Sequence, residues 1–266
     1  MYMDLSKIKM VVSDMDGTLL NSQHEVSDQF FELFKGLKSQ GITFVAASGR
    51  QYNSIIDKLY TIKDDIIVIA ENGGFAMKQQ TELLATPLDK HYVEDILKTL
   101  DKIPGIHPVI CTKHKAYLTN KSNEFVEKLA EYYTEFEIVE HLSNFKSEVI
   151  KIAIYHFESS EQHIYPYVKH FEDNLKVKVS GENWLDISSM NANKGFALEK
   201  LMKSYNVGSD EIMVFGDYNN DLEMLALSDF GFAMKNAHPN VKKIAKYETL
   251  SNDDNGVEHI LKMLIK

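Results

Sequence analysis

The apolar positions in the first third of the chain fall into short continuous runs that alternate with stripes at helical spacing. Lys9 to Ser13 reads as a strand, because a brief β-branched run bounded by polar residues and Gly marks a buried strand. Phe30, Leu33, Phe34 and Leu37 then recur on one helix face, and Gly41 closes that helix. Ile42 to Ala47 predicts a second strand, Asn53 to Tyr60 a helix, and Ile66 to Ala70 a third strand. Each strand ends on a polar, Gly-containing corner: Asp14 to Gly17, Ser48 to Arg50, and Glu71 to Gly73. Strands alternating with helices imply right-handed crossovers and a parallel sheet, so these corners are expected along one edge. That is the carboxyl edge, where open α/β sheets bind ligands.

From about Thr86 the pattern changes. Pro87 breaks the chain, and Val93, Ile96, Leu97 and Leu100 mark an amphipathic helix that Pro104 and Gly105 end. Two strand-like runs follow, His107 to Thr112 and Lys115 to Thr119, and then a helix carrying Phe125, Val126, Leu129, Tyr132 and Tyr133. Val149 to Phe157 reads as a strand, Gln162 to Asn174 as a helix, and Lys176 to Ser180 with Trp184 to Ile187 as a hairpin around Gly181. This self-contained α+β text is expected to form a domain of residues 84–187, inserted between residues 1–83 and 188–266. Its aromatic stripes are expected in the core.

The βαβ text then resumes. Lys194 and Gly195 open a helix bearing Phe196, Leu198, Leu201 and Met202. Ile212 to Phe215 is another buried strand, ending in Gly216, Asp217, Tyr218, Asn219, Asn220 and Asp221. Gly231 to Met234 predicts a short strand, Pro239 a helix start, and Val257, Ile260, Leu261 and Leu264 a C-terminal helix.

Asp14 and Asp16 stand one residue apart at a strand end, and side chains two apart in extended chain project to the same side. Two carboxylates that close repel unless a cation or a shared proton intervenes. Gly17 permits the tight turn that lets the second approach the first. Such an Asp-x-Asp-Gly string also begins calcium loops, and Glu25 stands at the twelfth position; the apolar Leu19 and Leu20 and the missing flanking helix outweigh that match.

Composition narrows the classes further. With 266 residues and 44% hydrophobic content the chain has material for one large or two smaller cores. A net charge of -10 argues against a broad electrostatic footprint for nucleic acid or an anionic membrane. Any anionic substrate must then meet a local positive site. Cys111 is the single cysteine, which leaves no internal disulfide and no thiolate zinc cluster, and fits a reducing compartment. No apolar run approaches the roughly 18 residues of a membrane helix, and the first apolar stretch runs straight into aspartates, unlike a secretory signal. A soluble, cytoplasmic protein is expected, with its oligomeric state open. The ten histidines show no paired metal spacing, and none is assigned a catalytic role.

The ordered corners DMDGTLL, ASGR, ENGG, NKG and GDYNND resemble the haloacid dehalogenase superfamily of phosphohydrolases. Its four motifs are a DxDGT strand end, a Ser or Thr strand end, a Lys before a helix and a GDxxxD acidic corner. The details are most similar to the Cof-like subfamily, in which an α/β cap is inserted between the second and third motifs. The resemblance spans the whole chain and implies a Rossmann-like parallel-sheet core with an inserted α+β cap domain. It implies a Mg²⁺-dependent phosphatase of small phosphorylated metabolites, sugar phosphates among them, acting through an aspartyl-phosphate.

By that resemblance Asp14 is the nucleophile and Asp16 the acid and base for leaving group and water. Mg²⁺ is expected on the Asp14 carboxylate, the Asp16 backbone carbonyl and Asp217, with Asp221 orienting these ligands from one layer further out. Lys194 offsets the crowded negative charge and holds nucleophile and phosphoryl oxygens. As a cation at a helix start it opposes the helix dipole, so something local should compensate. The Met15 and Gly49 amides, Ser48 and Asn220 are expected to donate to phosphate. Arg50, Asn72 and Asn193 are candidate substrate contacts. Two alternatives share the motifs: a phosphomutase of the phosphomannomutase type, and a regulator that keeps the phosphate pocket without turnover. Receiver domains are much smaller and lack the insertion, and dehalogenation has no need of a leaving-group acid such as Asp16.

Overall fold

The computed structural model describes residues 4–119, 122–130, 132–142 and 147–265. In chain order its first part runs β1 (Met10–Asp14), α1 (Asp28–Ser39), β2 (Thr43–Ala47), α2 (Tyr52–Lys58), β3 (Ile67–Ala70), β4 (Phe75–Lys78) and β5 (Thr81–Ala85). The middle comprises α3 (Lys90–Leu100), β6 (Ile106–Thr112), β7 (Ala116–Leu118), α4 (Asn123–Ala130), β8 (Phe136–Ile138), β9 (Val149–His156), α5 (Ser160–His163), α6 (Tyr165–Val168), β10 (Leu175–Val179) and β11 (Trp184–Ser189). The last part is α7 (Lys194–Tyr205), β12 (Ile212–Gly216), α8 (Leu222–Ala226), β13 (Phe230–Ala233), α9 (Pro239–Ile244), β14 (Tyr247–Glu248) and α10 (Gly256–Leu264). The chain divides into two compact units, one of Met1–Gly49, Ile55–Leu84 and Asn193–Lys266, the other of Arg50–Ser54 and Ala85–Ala192. No helix among the described residues is long and apolar enough to cross a membrane.

The first unit is built on a sheet in the order β14-β13-β12-β1-β2-β3-β4-β5. Strands β14 to β3 of that order run parallel, with Val12 beside both Val214 and Val45. Every residue of β1, β3 and β12 is buried, as expected for strands covered on both faces. Helix α1 shows how the cover is made: Ser27 caps it by accepting the Phe30 amide at 3.0 Å, and Phe30, Phe34 and Leu37 turn inward. Phe30 and Phe34 meet Phe44 of β2 with ring centroids 5.0 and 6.2 Å apart. The order reverses at β1, whose neighbours are β2 and β12. The carboxyl ends of β1, β2 and β12 therefore border a topological switch point.

The sheet is not wholly parallel. β4 runs antiparallel to β3 and β5 extends the edge beyond it, a hairpin that the sequence reading passed over. Its turn is only Gln79 and Gln80, with Gln79 at φ 54°, and the sequence there lacks the Gly or Asn that signals a tight turn.

The second unit carries a sheet in the order β10-β11-β9-β6-β7-β8. Ile110, Ile152, Ile154, Leu185 and Ile187 pack on one side with Val93, Ile96 and Leu100 of α3. Val109, Cys111, Ala153 and Tyr155 pack on the other with Phe125 and Leu129 of α4 and with Tyr133. These alternations fit strands with both faces covered, and they place Phe125 and Tyr133 in the core. The expected helix of Gln162 to Asn174 is instead α5, α6 and a 3₁₀ turn over Lys169–Asp173. Pro166 explains the break, since it lacks the amide a continuous helix requires and suits a helix start. The helix expected through Tyr133 is described over Asn123–Ala130, and position 131 lies outside the described residues.

Candidate active site

Asp14 is the last residue of β1, and Lys194 is the first of α7 after the N-cap Asn193, whose side chain accepts the Phe196 amide at 2.7 Å. The helix start is unfavourable for a cation, and two carboxylates supply the compensation. Lys194 Nζ donates to Asp14 Oδ1 at 2.5 Å and to Asp221 Oδ1 at 2.7 Å. The side chains of Lys194 and Asp221 are fully buried and that of Asp14 nearly so.

Asp221 is fixed from its other side. Its Oδ2 accepts the Asp217 and Tyr218 amides at 3.0 and 3.1 Å, so the turn after β12 wraps its own carboxylate. The wrap requires Gly216, because a Cβ there would fall 2.6 Å from Asp221 Cβ. The β1 and β12 corners meet through Gly17, at φ +76°, where a Cβ would lie 2.3 Å from Asp217 Oδ2. Beside it Thr18 Oγ1 donates to Asp217 Oδ1 at 3.3 Å.

Carboxylate oxygens of Asp14, Asp217 and Asp221 lie within 4.8 Å of one another. Asp14 Oδ2 is buried and receives no hydrogen bond among the described residues. Burial raises the Asp14 pKa well above the carboxylate range, and Asp221 and Asp217 reinforce the shift against the pull of Lys194. Burial, helped by Asp221, also pushes Asp217 up to about 6. Burial works against the charge on Lys194, but the attraction of Asp14 and Asp221 outweighs it and raises its pKa. Crowded acids with one orphaned buried oxygen form a donor set suited to a hard divalent cation.

Among the other residues singled out in the sequence, Ser48, Gly49, Asn72 and Asn220 form a second group. Ser48 is buried, its amide donates to Ile69 O at 2.8 Å and its carbonyl accepts the Asn72 amide at 3.0 Å. Asn220 Nδ2 donates to Asn72 Oδ1 at 3.0 Å. The Met15 side chain is buried and its carbonyl accepts the Thr18 and Leu20 amides. Asp16 differs from Asp14: its side chain is 43% exposed, and His24 Nδ1 stands 3.3 Å from its Oδ1. Arg50 Nη1 donates to Ser54 Oγ at 3.4 Å, both within the second compact unit.

The sequence profile of haloacid dehalogenase-like hydrolases matches residues 11–261. The chain belongs to that family. The hydrolase is 30% identical over 262 residues to the Escherichia coli 5-amino-6-(5-phospho-D-ribitylamino)uracil phosphatase YbjI, with 97% of each chain covered. It is 25% identical over 287 residues to the Bacillus subtilis phosphatase YwtE, named for the same substrate, with 97% of this chain and 98% of that one covered. Among solved structures, a protein from Streptococcus mutans UA159 superposes with a TM-score of 0.85 at 29% identity, covering 96% of this chain and 98% of that one.

Two residues of the hydrolase's strand-end corners escaped the sequence reading. Thr18 was quoted in its motif without a role, and its bond to Asp217 joins positions far apart in the chain. His24 reaches Asp16 from a turn in which it has φ 58°, and no metal-type spacing would have flagged it.

Proposed function

We propose that the hydrolase is a phosphatase of small phosphorylated metabolites, sugar phosphates among them, working with Mg²⁺ through an aspartyl-phosphate on Asp14. The observation that carries this reading is the Asp14 carboxylate, held at Oδ1 by Lys194 and left at Oδ2 without a donor, at a strand end beside Asp217. Phosphate monoesters resist unaided hydrolysis so strongly that enzymes accelerate the slowest by up to about 10²¹-fold. Charge neutralisation and an in-line nucleophile must both be supplied.

An Asp14 oxygen attacks phosphorus, the bond from phosphorus to the ester oxygen breaks, and Asp16 gives that oxygen a proton. Its exposure leaves it in reach of solvent, as a group that later takes a proton from water must be. The water oxygen then bonds phosphorus, the acyl-phosphate bond breaks toward Asp14, and inorganic phosphate leaves. Lys194 favours the ionised form of Asp14 against its burial and opposes charge on the phosphoryl oxygens. Ser48, the Gly49 and Met15 amides and Asn220 donate to those oxygens.

Asp14, Asp217 and the Asp16 carbonyl would hold the metal, because both Asp221 oxygens are already engaged by Lys194 and two amides. Bound there, Mg²⁺ supplies positive charge to the crowded acids and to the phosphate. The names of the two relatives support a phosphorylated polyol as substrate class, since each acts on a phosphoribityl compound. The unit of Arg50–Ser54 and Ala85–Ala192 is proposed as the inserted cap, the source of discrimination among leaving groups.

A screen of phosphate release over sugar, polyol, nucleotide and cofactor phosphates tests the reading. Chelation is expected to abolish activity and Mg²⁺ to restore it, with Ca²⁺ restoring it poorly because its longer, looser coordination misplaces phosphate. Full activity after exhaustive chelation would remove the metal from the account. Absence of phosphate release from every ester would remove the phosphatase.

A further inference from the structure

One residue ties together three strand-end corners without appearing in the reaction steps above. Asn72 accepts Asn220 Nδ2 on its Oδ1, and its own amide donates to the Ser48 carbonyl, both at 3.0 Å. A Cβ on Gly49 would stand 3.0 Å from both terminal atoms of the Asn72 side chain, so that side chain lies directly against the Gly49 backbone. Gly73, next in sequence and at φ +93°, packs so closely on the start of α7 that a Cβ would fall 2.2 Å from Asn193 O. The chain makes this turn with Asn72 at φ 54° and ψ 33°, a left-handed conformation that Asn tolerates better than most residues.

We infer that Asn72 is a positioning residue, which aims the Asn220 amide and braces the Gly49 backbone so that phosphoryl oxygens meet preset donors. An Asn side chain on a turn is free to rotate about a broad terminal torsion. Spending one of the two Nδ2 hydrogens on Asn72 Oδ1 fixes the plane of the Asn220 amide and gives the other hydrogen a single direction. Donors fixed in advance need no reorganisation when charge develops on the phosphoryl group. This inference rests on the phosphatase reading but makes a separate demand: Asn72 must act through Asn220.

A double-mutant cycle measures that demand. Asn72→Gly removes the side chain while still permitting the left-handed backbone, Asn220→Ala removes the donor, and the third protein carries both. With 4-nitrophenyl phosphate, Asn72→Gly is expected to lower kcat/KM about tenfold, and the double variant to match Asn220→Ala within about threefold. Inhibition by inorganic phosphate should weaken in parallel in Asn72→Gly, which a merely destabilised protein with intact sites would not show. Additive losses, or an unchanged phosphate inhibition constant in Asn72→Gly, would overturn the inference. Should Asn72→Gly fail to fold, Asn72→Ser, too short to accept from Asn220, is expected to behave in the same way. If the wild type releases no phosphate, the phosphatase reading fails on its own. Calorimetric binding of inorganic phosphate to the same proteins still reads the coupling between Asn72 and Asn220.

Discussion

Among the described residues two lysines are buried, one in each compact unit, and they are held in different ways. Lys194 donates to two carboxylates at 2.5 and 2.7 Å, and one of these, Asp221, is itself anchored by two backbone amides. Lys151, in the central strand β9 of the smaller unit, stands 3.6 Å from Asp186 and 5.8 Å from the Tyr133 ring centroid. Both are shielded from water; the first has strong, charge-assisted hydrogen bonds to two carboxylates, whereas the second stands farther from Asp186 and beside a ring. Burial of a charge does not by itself mark a reactive site. The proposed active site adds to it the convergence of acids from β1 and β12 on one ammonium at a sheet's switch point.

Removing each ammonium sharpens that contrast. Lys194→Met leaves Asp14 and Asp221 buried without their cation, so it is expected to cost about 3–5 kcal/mol in the metal-free protein and to lower kcat on the order of 10³-fold. Lys151→Met removes a longer pair whose acid keeps some contact with water, and at most about 2 kcal/mol is expected. Denaturant unfolding and steady-state rates measure both. Equal stability losses would mean that the two lysines are held alike.

A smaller effect follows from the raised acids. In the window from 3.8 to about 6 the metal-free folded protein keeps a proton on Asp217 that the unfolded chain has released. Folded protein then binds more protons than unfolded, so this contribution to stability is lost as pH rises through the window. Asp14, raised for the same reason, acts in the same direction. Melting of wild type and Asp217→Asn across that range isolates the effect: wild type should lose stability relative to the variant as pH rises, and saturating Mg²⁺ should cancel the loss. A wild type that gains on the variant without metal would reverse the assignment.

The larger unit was legible because its chemistry sits where continuous apolar runs stop. Met10 to Val12, Phe44 to Ala47 and Ile212 to Phe215 announce buried strands, and the residues after them are polar and Gly-rich. The edge hairpin β4–β5 was not legible, since the buried run of β4 is only three residues long, β5 has no buried residue and the turn carries no Gly. Strands β8 and β14, with three and two residues, are too short for any periodicity. In the smaller unit the apolar rows were readable as core, but Pro166 divides what one helical stripe suggested. At the site, the acids and Lys194 stood out by type and order. The backbone amides that lock Asp221 carry no residue pattern of their own, and Asn72-Gly73 signals a left-handed turn without signalling that it reaches Asn220.

The proposed chemistry requires that Asp14 become phosphorylated. Acid quenching of the hydrolase during turnover, followed by peptide mass mapping, is expected to find one phosphoryl group on the peptide that carries Asp14, labile to hydroxylamine. Asp14→Asn, nearly isosteric and expected to fold, should show none and turn over on the order of 10³-fold more slowly or worse. Phosphorylation at another residue, or turnover by Asp14→Asn within about tenfold of the wild type, would contradict it.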